Sequence, residues 1–185
     1  GAIQIAINKG KGDEEAEKQY LGNAFVLLLA AGVLLTVSLL FAYPAILRLF
    51  GASGDIYTYA AGYIRIIAAG AAIQVFSTGM VPVIRNYDGA VMAMAAMVAG
   101  FVTNIVFDWL FVSVFGYGVE GAAVATLMGQ MVTLVPGIVF LVRKVGLFHY
   151  AGFAPKGRVL RYLVTIAASP FGLTLSPNIV IMIIN

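Results

Sequence analysis

The 185-residue sequence contains no cysteine, one histidine and few charged residues. Without cysteine, the chain has no disulfide framework, thiol catalysis or cysteine-ligated metal centre. The one histidine, His149, has no second histidine to complete a histidine-based metal site. Charged residues make up 10% of the chain, whereas a soluble domain carries roughly 25%. The composition therefore excludes a water-soluble globular domain and also a disordered chain.

Long apolar runs fill most of the sequence, because 62% of its residues are hydrophobic. A helix that crosses a bilayer needs about 20 mostly apolar residues. Runs of that length predict five spans, at residues 20–50, 56–84, 89–115, 119–142 and 159–185. The runs show no period-two alternation, so the sequence predicts an all-α polytopic membrane protein.

Both ends of the sequence are apolar. It opens with GAIQIAINKG, which is typical of the last turns of a helix, and closes with IVIMIIN. We therefore expect the chain to be a piece of a longer polytopic protein. Within the apolar runs, Pro82, Pro136 and Pro170 predict kinks.

Basic residues are distributed unevenly among the predicted loops. Nine lysines and arginines lie in or beside the loops at 8–19, 85–89 and 143–158, whereas the opposite side has only Arg48. The positive-inside rule places the basic side in the cytoplasm. We therefore expect a multi-pass protein of the cell membrane with these three loops cytoplasmic.

An acidic residue, Asp108, lies inside the apolar segment TNIVFDWLFVSVF. An ionisable group at bilayer depth is costly and marks an ion or substrate pathway. Asn104, four residues earlier, shares its helix face. If the FGYGVEG turn has its apex at Tyr117, Asp108 lies level with Thr126 and Asn104 lies level with Gln130. The spacing therefore predicts a cluster of carboxylate, amide and hydroxyl oxygens near mid-bilayer.

Such a cluster admits several functions. Oxygen ligands suit a hard cation such as Na⁺, with Asp108, Asn104 and Thr126 as its ligands. Burial could instead let the carboxyl group carry a proton. The same side chains could also only join helices through hydrogen bonds.

A second stripe of small and polar residues follows the second predicted span. Its members recur at three- and four-residue spacing and are Gly70, Gln74, Ser77, Thr78 and Val81. Such a stripe suits either close helix packing or the wall of a cavity.

No catalytic motif accompanies these polar residues. The sequence has no glycine-rich phosphate loop, nucleophile elbow or pair of catalytic carboxylates, so we expect no enzyme activity. The net charge of +3 does not indicate nucleic-acid binding.

Three stretches of the sequence together resemble the multidrug and toxic compound extrusion (MATE) transporters. They are LFGASGDIYTYAAGYIRI, VIRNYDGAVMAMAAMVAGFVTNIVFDWLFV and FGYGVEGAAVATLMGQ. The motifs are the LFGAS turn, the arginine–glycine loop RNYDG, an Asn-x-x-x-Asp helix and Gly-x-x-Gly-Ala-Ala-x-Ala-Thr. Their combination, in this order and spacing, is specific, and it covers nearly the whole chain.

The resemblance implies the N-terminal lobe of a transporter with about twelve helices in two lobes. Residues 1–142 would hold the end of the second helix and the third to sixth helices. Residues 143–158 would form the cytoplasmic interlobe linker, and residues 159–185 would begin the seventh helix. The first helix and the C-terminal lobe would belong to the remainder of the same polypeptide.

The resemblance also implies a coupling site. In the prokaryotic branch related to DNA-damage-inducible MATE proteins, a polar network in the N-terminal lobe serves Na⁺ or proton coupling. That network carries over onto Asn104, Asp108 and Thr126. Its further aspartate, in the first helix, has no counterpart in this chain.

Substrate-lining positions follow from the same resemblance. They fall near Ser77, Thr78 and Met97, and we expect Gln130 of the polar cluster to join them.

The expected function is antiport by alternating access. Na⁺ or H⁺ would drive export of amphipathic organic cations across the lipid bilayer, with no other cofactor. An alternative is a flippase for lipids or lipid-linked oligosaccharides, although such proteins usually have cationic cavities and the buried charges here are Asp108 and Arg65. A non-transporting membrane scaffold is an alternative of another class, and it predicts that Asp108→Asn leaves function intact.

Overall fold

The computed structural model describes residues 1–147 and 153–166. The chain forms two compact units, one from Gly1–Leu27 with Ala151–Asn185 and one from Leu28–Tyr150. His149, Pro170 and most of the fifth predicted span lie outside the described residues.

The described residues are almost entirely helical. The helices are α1 (Ala2–Lys11), α2 (Glu14–Leu49), α3 (Gly54–Ala69), α4 (Ala71–Asn86), α5 (Ala90–Asp108), α6 (Gly118–Phe140) and α7 (residues 157–166). Two of them continue directly into π-helical segments, α5 into Trp109–Val114 and α6 into Leu141–Val145.

Three of these helices are long and apolar enough to cross a membrane. They are α2, α5 with its π-helical segment and α6 with its π-helical segment, and the bent pair of α3 and α4 makes a fourth if it counts as one span. The prediction of an all-α polytopic membrane protein is confirmed.

In the first unit, the predicted loop at 8–19 is wrong, because most of it is helical. Helix α1 ends at Gly12, whose φ of 73° is in the left-handed region that glycine adopts without strain. The Asp13 side chain then accepts a hydrogen bond of 3.0 Å from the Ala16 N–H, and α2 begins at Glu14. Acidic residues in a first turn are favoured by the helix dipole.

A buried amide, Asn23, organises the rest of the first unit. It is fully buried, and its Oδ1 accepts a hydrogen bond of 3.0 Å from the Lys156 N–H. Its Nδ2 donates to the carbonyl oxygens of Gln19 and Ala154, at 2.8 and 3.4 Å. Asn23 therefore attaches part of the predicted linker to the start of α2, a role that no sequence pattern indicated.

In the second unit, the span predicted at 56–84 is not one continuous helix. It breaks at Gly70, where α3 and α4 meet at 51°. A side chain at Gly70 would collide with Leu127 of α6, and the break frees the Ala72 N–H, which donates to Thr36 Oγ1 of α2 at 3.1 Å.

The predicted kink positions mark no break in these helices. Helix α4 runs through Pro82 and α6 runs through Pro136. The interruption at Gly70 arises from packing against α2 and α6.

Two further loops are shorter than predicted. Helix α4 continues to Asn86, which reduces the 85–89 loop to residues 87–89. Helical structure likewise continues to Val145, and residues 157 and 158 are helical, both within the predicted 143–158 linker.

Candidate functional site: a neutral polar cavity between α4, α5 and α6

The site is built on the hairpin of α5 and α6, which make the most extensive contact between described helices. Their backbones touch at two glycines, since a side chain at Gly100 would collide with the Gly129 carbonyl oxygen, and one at Gly129 would collide with that of Gly100. Beside them, Thr133 Oγ1 lies 3.3 Å from the Ala96 carbonyl oxygen and 3.1 Å from that of Gly129. Small residues thus bring the two helices into direct contact.

The hairpin aligns its polar residues differently from the prediction. Asn104 Nδ2 donates to Thr126 Oγ1 at 3.4 Å, and the Thr126 hydroxyl donates to the Ala122 carbonyl oxygen at 3.0 Å. Thr126 therefore pairs with Asn104, whereas the sequence spacing predicts that it lies level with Asp108. The predicted register is wrong by four residues, about one helical turn.

The cause of the shift lies at the turn. Residues 115–117 are non-helical, and Gly116 and Gly118 have φ values of 70° and 56°, which only glycine adopts readily. The turn is thus centred near Gly116 rather than Tyr117. On the α5 side, the π-helical segment adds residues to each turn, as its Phe115 N–H to Leu110 carbonyl bond of 2.9 Å shows.

A cavity of about 560 Å³ opens along this hairpin and α4. Its lining residues are Ser77, Thr78, Val81, Met97, Val98, Gly100, Phe101, Asn104, Thr126, Gly129, Gln130 and Thr133. Six of the seven site residues singled out from the sequence therefore border one space.

The cavity wall is uncharged, and it combines apolar side chains with a few hydrogen-bonding groups. It offers hydroxyl and amide groups from Asn104, Thr126 and Gln130, together with the thioether of Met97 and the ring of Phe101. Ser77 is 2% exposed, and its hydroxyl has no hydrogen-bond partner in the part of the chain that the structure describes. A buried hydroxyl without a partner is unusual in a folded protein and commonly marks a place where a water or an ion binds.

Asp108, the seventh predicted residue, does not border this cavity. It is half-buried at the last position of α5, one turn nearer the hairpin turn than Asn104. No hydrogen bond or ion pair joins Asp108 to another described residue. The predicted contact of its carboxylate with Thr126 is therefore wrong, and the four-residue register shift is the reason.

Metal-binding groups are sparse in the described ranges. Residues 1–147 and 153–166 contain no cluster of three or more acidic, histidine or cysteine residues that could hold a metal ion. A cation near Asn104 and Thr126 would therefore depend on the Asp108 carboxylate and the neutral oxygens of those two residues.

Five lining residues were not predicted from the sequence, namely Val98, Gly100, Phe101, Gly129 and Thr133. Thr133 follows Gln130 and Thr126 at three- and four-residue spacing, so the same face of α6 predicts it. Phe101 stands four residues after Met97 on α5 and follows from the same rule.

Long apolar helices that border a cavity without charged groups define a polytopic membrane protein with a cavity between its helices. The MatE family model matches residues 2–110. The chain belongs to this family of multi-pass membrane proteins, the MATE transporters.

Individual relatives agree with this assignment. The chain is 26% identical over 116 residues to the multidrug export protein MepA of Staphylococcus saprophyticus, which covers 63% of this chain and 26% of MepA. Solved inward-facing and outward-facing structures of a multidrug resistance MATE family transporter of the MOP superfamily each match with a TM-score of 0.78 and 33% identity. Each match covers 86% of this chain and about 37% of the transporter. The chain thus spans between a quarter and two fifths of the length of these relatives.

Proposed function

We propose that this chain forms part of a cation-coupled antiporter that exports amphipathic organic cations by alternating access. The observation that carries the proposal is the neutral polar cavity between α4, α5 and α6. It combines hydrogen-bonding groups with a thioether and an aromatic ring, as binding sites for amphipathic molecules commonly do. Met97 in particular offers an adaptable, polarisable surface.

The coupling step is assigned to the hairpin. Asp108 takes up Na⁺ or H⁺, while Asn104 and Thr126 supply neutral oxygens one turn away. A coupling ion can shift a two-state equilibrium only if it binds one state more tightly than the other. Cation binding at Asp108 therefore has to alter the α5–α6 face that borders the cavity, and by linkage the affinity for substrate changes in return.

The similarity to transporter structures in opposite states supports a lobe that moves as one piece. The described helices match the inward-facing and outward-facing structures equally well. In that mechanism the cavity opens to alternate sides of the membrane while its wall stays intact. The basic loops lie in the cytoplasm, and the protein resides in the cell membrane.

The test measures efflux of a fluorescent organic cation by the whole transporter in proteoliposomes. Wild type and Asp108→Asn are compared under an imposed Na⁺ gradient and, separately, an imposed pH gradient. Asp108→Asn is expected to reduce gradient-driven efflux at least about fivefold, the range typical of coupling between sites. The gradient that drives wild type identifies the ion.

A matched control separates coupling from general effects of charge. Asp55 is an exposed acid in the first turn of α3, outside the cavity lining, and Asp55→Asn should leave efflux unchanged. Dye binding at equilibrium should survive Asp108→Asn, because Asp108 does not border the cavity. Unchanged efflux in Asp108→Asn would overturn the proposal and would indicate that the polar residues only join helices through hydrogen bonds.

A further inference from the structure

An acidic side chain close to the hairpin turn takes no part in the cavity described above. Glu120 lies in the first turn of α6, and its carboxylate fills the space where a side chain at Gly62 of α3 would begin. The helix dipole favours an acid at this position, but it does not direct that acid towards α3. No ion pair joins Glu120 to a basic group in the described part of the chain.

Two aromatic rings lie beside this carboxylate. The Tyr117 N–H donates to the Phe111 carbonyl oxygen at 2.9 Å, which closes the π-helical segment onto the turn. This bond sets the ring centroids of Phe111 and Tyr117 6.1 Å apart with their planes at 37°. The ring of Phe115 is 5.7 Å from Tyr117 and 6.2 Å from Phe111. The π-helical segment thus gathers an aromatic cluster next to Glu120.

The carboxylate and two of the rings border one pocket of about 300 Å³. Its walls are Ile66, Phe111, Tyr117, Glu120, Gly121 and Val124. None of these residues lines the neutral cavity, so the pocket near the turn is a separate space.

A basic residue lies on the other side of the same carboxylate. Arg65 of α3 and Glu120 both line an adjoining cavity of about 420 Å³, and Ile66 borders this cavity and the aromatic pocket alike. Arg65 follows Gly62 by three residues, about one turn along α3. Its guanidinium therefore adds positive charge near Glu120 without an ion pair between them.

We propose that Glu120, Phe111 and Tyr117 form a binding site for the ammonium group of an organic cation. A carboxylate attracts the cation, and aromatic faces within about 6 Å stabilise it through their quadrupole, the arrangement that recognises quaternary ammonium groups. The site is distinct from the neutral cavity, and it rests on the proposed function only for the choice of organic cations as ligands.

The chemistry of the pocket disfavours other ligands. A hard metal ion requires several oxygen ligands, whereas this pocket offers one carboxylate and apolar walls. An anion would be repelled by Glu120. A neutral molecule would gain from the rings but not from the charge.

The experiment measures equilibrium binding of radiolabelled choline to the whole purified transporter in phosphatidylglycerol nanodiscs. The comparison ligand is the uncharged alcohol in which carbon replaces the quaternary nitrogen of choline. Choline should bind, and the uncharged alcohol should compete with it poorly. Because binding is measured without a gradient, loss of coupled efflux in Asp108→Asn leaves this readout unaffected.

Four variants test the assignment. Glu120→Gln should weaken choline binding about fivefold, the upper value for an exposed charge pair. Phe111→Leu should weaken it about threefold through loss of the ring. Arg65→Gln should strengthen it roughly twofold, since a repelling charge is removed. Asp55→Asn should leave it unchanged and serves as the control for total negative charge.

The sign of the Arg65 effect separates this site from a structural ion pair. If Glu120 only paired with Arg65 to hold α3 and α6 together, both single variants would act on choline binding in the same direction. That outcome would overturn the proposal. Unaltered choline affinity in Glu120→Gln, or equal competition by the uncharged alcohol, would do the same.

Discussion

The two ends of the α5–α6 hairpin differ in the side chains that pack around the contact between the two helices. Far from the turn, Gly100 and Gly129 let the backbones touch, and the Thr133 hydroxyl lies 3.3 Å from the Ala96 carbonyl oxygen across the contact. Near the turn, Gly121 of α6 again lies close to the neighbouring segment, since a Cβ there would meet Phe111 Cβ at 2.8 Å. Large rings also gather there beside the carboxylate of Glu120. Glycine thus allows close contact at both ends, and the end near the turn adds large rings and a charge beside it.

This difference gives each end its own chemistry. The neutral cavity, which begins at the glycine contact, offers hydroxyl, amide and thioether groups that adapt to varied molecules. The pocket near the turn offers one charge and aromatic surfaces, which select for a cation. One hairpin thus carries an adaptable surface and a charge-selective one.

The largest expected effect comes from closing the glycine contact. A Cβ at Gly100 would collide with the Gly129 backbone oxygen and Thr133, so Gly100→Ala should lower the free energy of unfolding by about 2–3 kcal/mol. A Cβ at Gly62 would meet only the movable end of the Glu120 side chain. Gly62→Ala should therefore change the free energy of unfolding by less than about 1 kcal/mol. Denaturant unfolding of the whole transporter in detergent measures both.

A third glycine calibrates this comparison. A Cβ at Gly10 in α1 meets no atom within 4 Å, so Gly10→Ala reports the helix-propensity gain alone. Equal destabilisation by Gly100→Ala and Gly62→Ala would show that the contact of α3 with Glu120 tolerates a Cβ no better than the contact between Gly100 and Gly129.

The fold class was predictable because bilayer-length apolar runs demand helices. The hairpin was also predictable, since Gly116 and Gly118 permit its short turn. The break at Gly70 was not, because its causes are Leu127 and Thr36, which lie far from it in sequence. Local helix propensity instead predicts kinks at Pro82 and Pro136.

The composition of the neutral cavity was predictable, but its register was not. Helical spacing grouped Asn104 with Gln130, and the resemblance to the MATE transporters placed Ser77 and Met97 at the substrate-lining positions. The position of Asp108 depended on counting residues back from the turn, and the π-helical segment changes that count. Nothing in the letters WLFVSV marks a π-helix, since its wider turns arise from hydrogen bonding within the folded hairpin.

An intermediate effect is expected from Thr133, whose hydroxyl spans the glycine contact. Thr133→Val keeps the shape of the side chain but removes its hydrogen bond to a carbonyl oxygen. Interhelical hydrogen bonds in membranes contribute about 0.6 kcal/mol on average, so a loss of about that size is expected. Thr133→Ser keeps the hydroxyl, so it should lower the free energy of unfolding less than Thr133→Val in the same measurement. If Thr133→Val lowered the free energy of unfolding as much as Gly100→Ala does, the stability of the contact would depend on this hydroxyl rather than on the close approach of the two backbones.

The smallest effect on stability is expected at Ser77, and it distinguishes the neutral cavity from an ordinary packed interface. The Ser77 hydroxyl is buried and lacks a partner among the described residues, so folding gains nothing from it. Ser77→Ala should leave the free energy of unfolding unchanged or raise it by about 0.5 kcal/mol. The same variant should weaken equilibrium binding of the organic-cation dye, because a bound molecule is what the hydroxyl is available to contact. If Ser77→Ala instead lowered the free energy of unfolding markedly and left dye binding unaltered, Ser77 would contribute to helix packing and not to ligand binding.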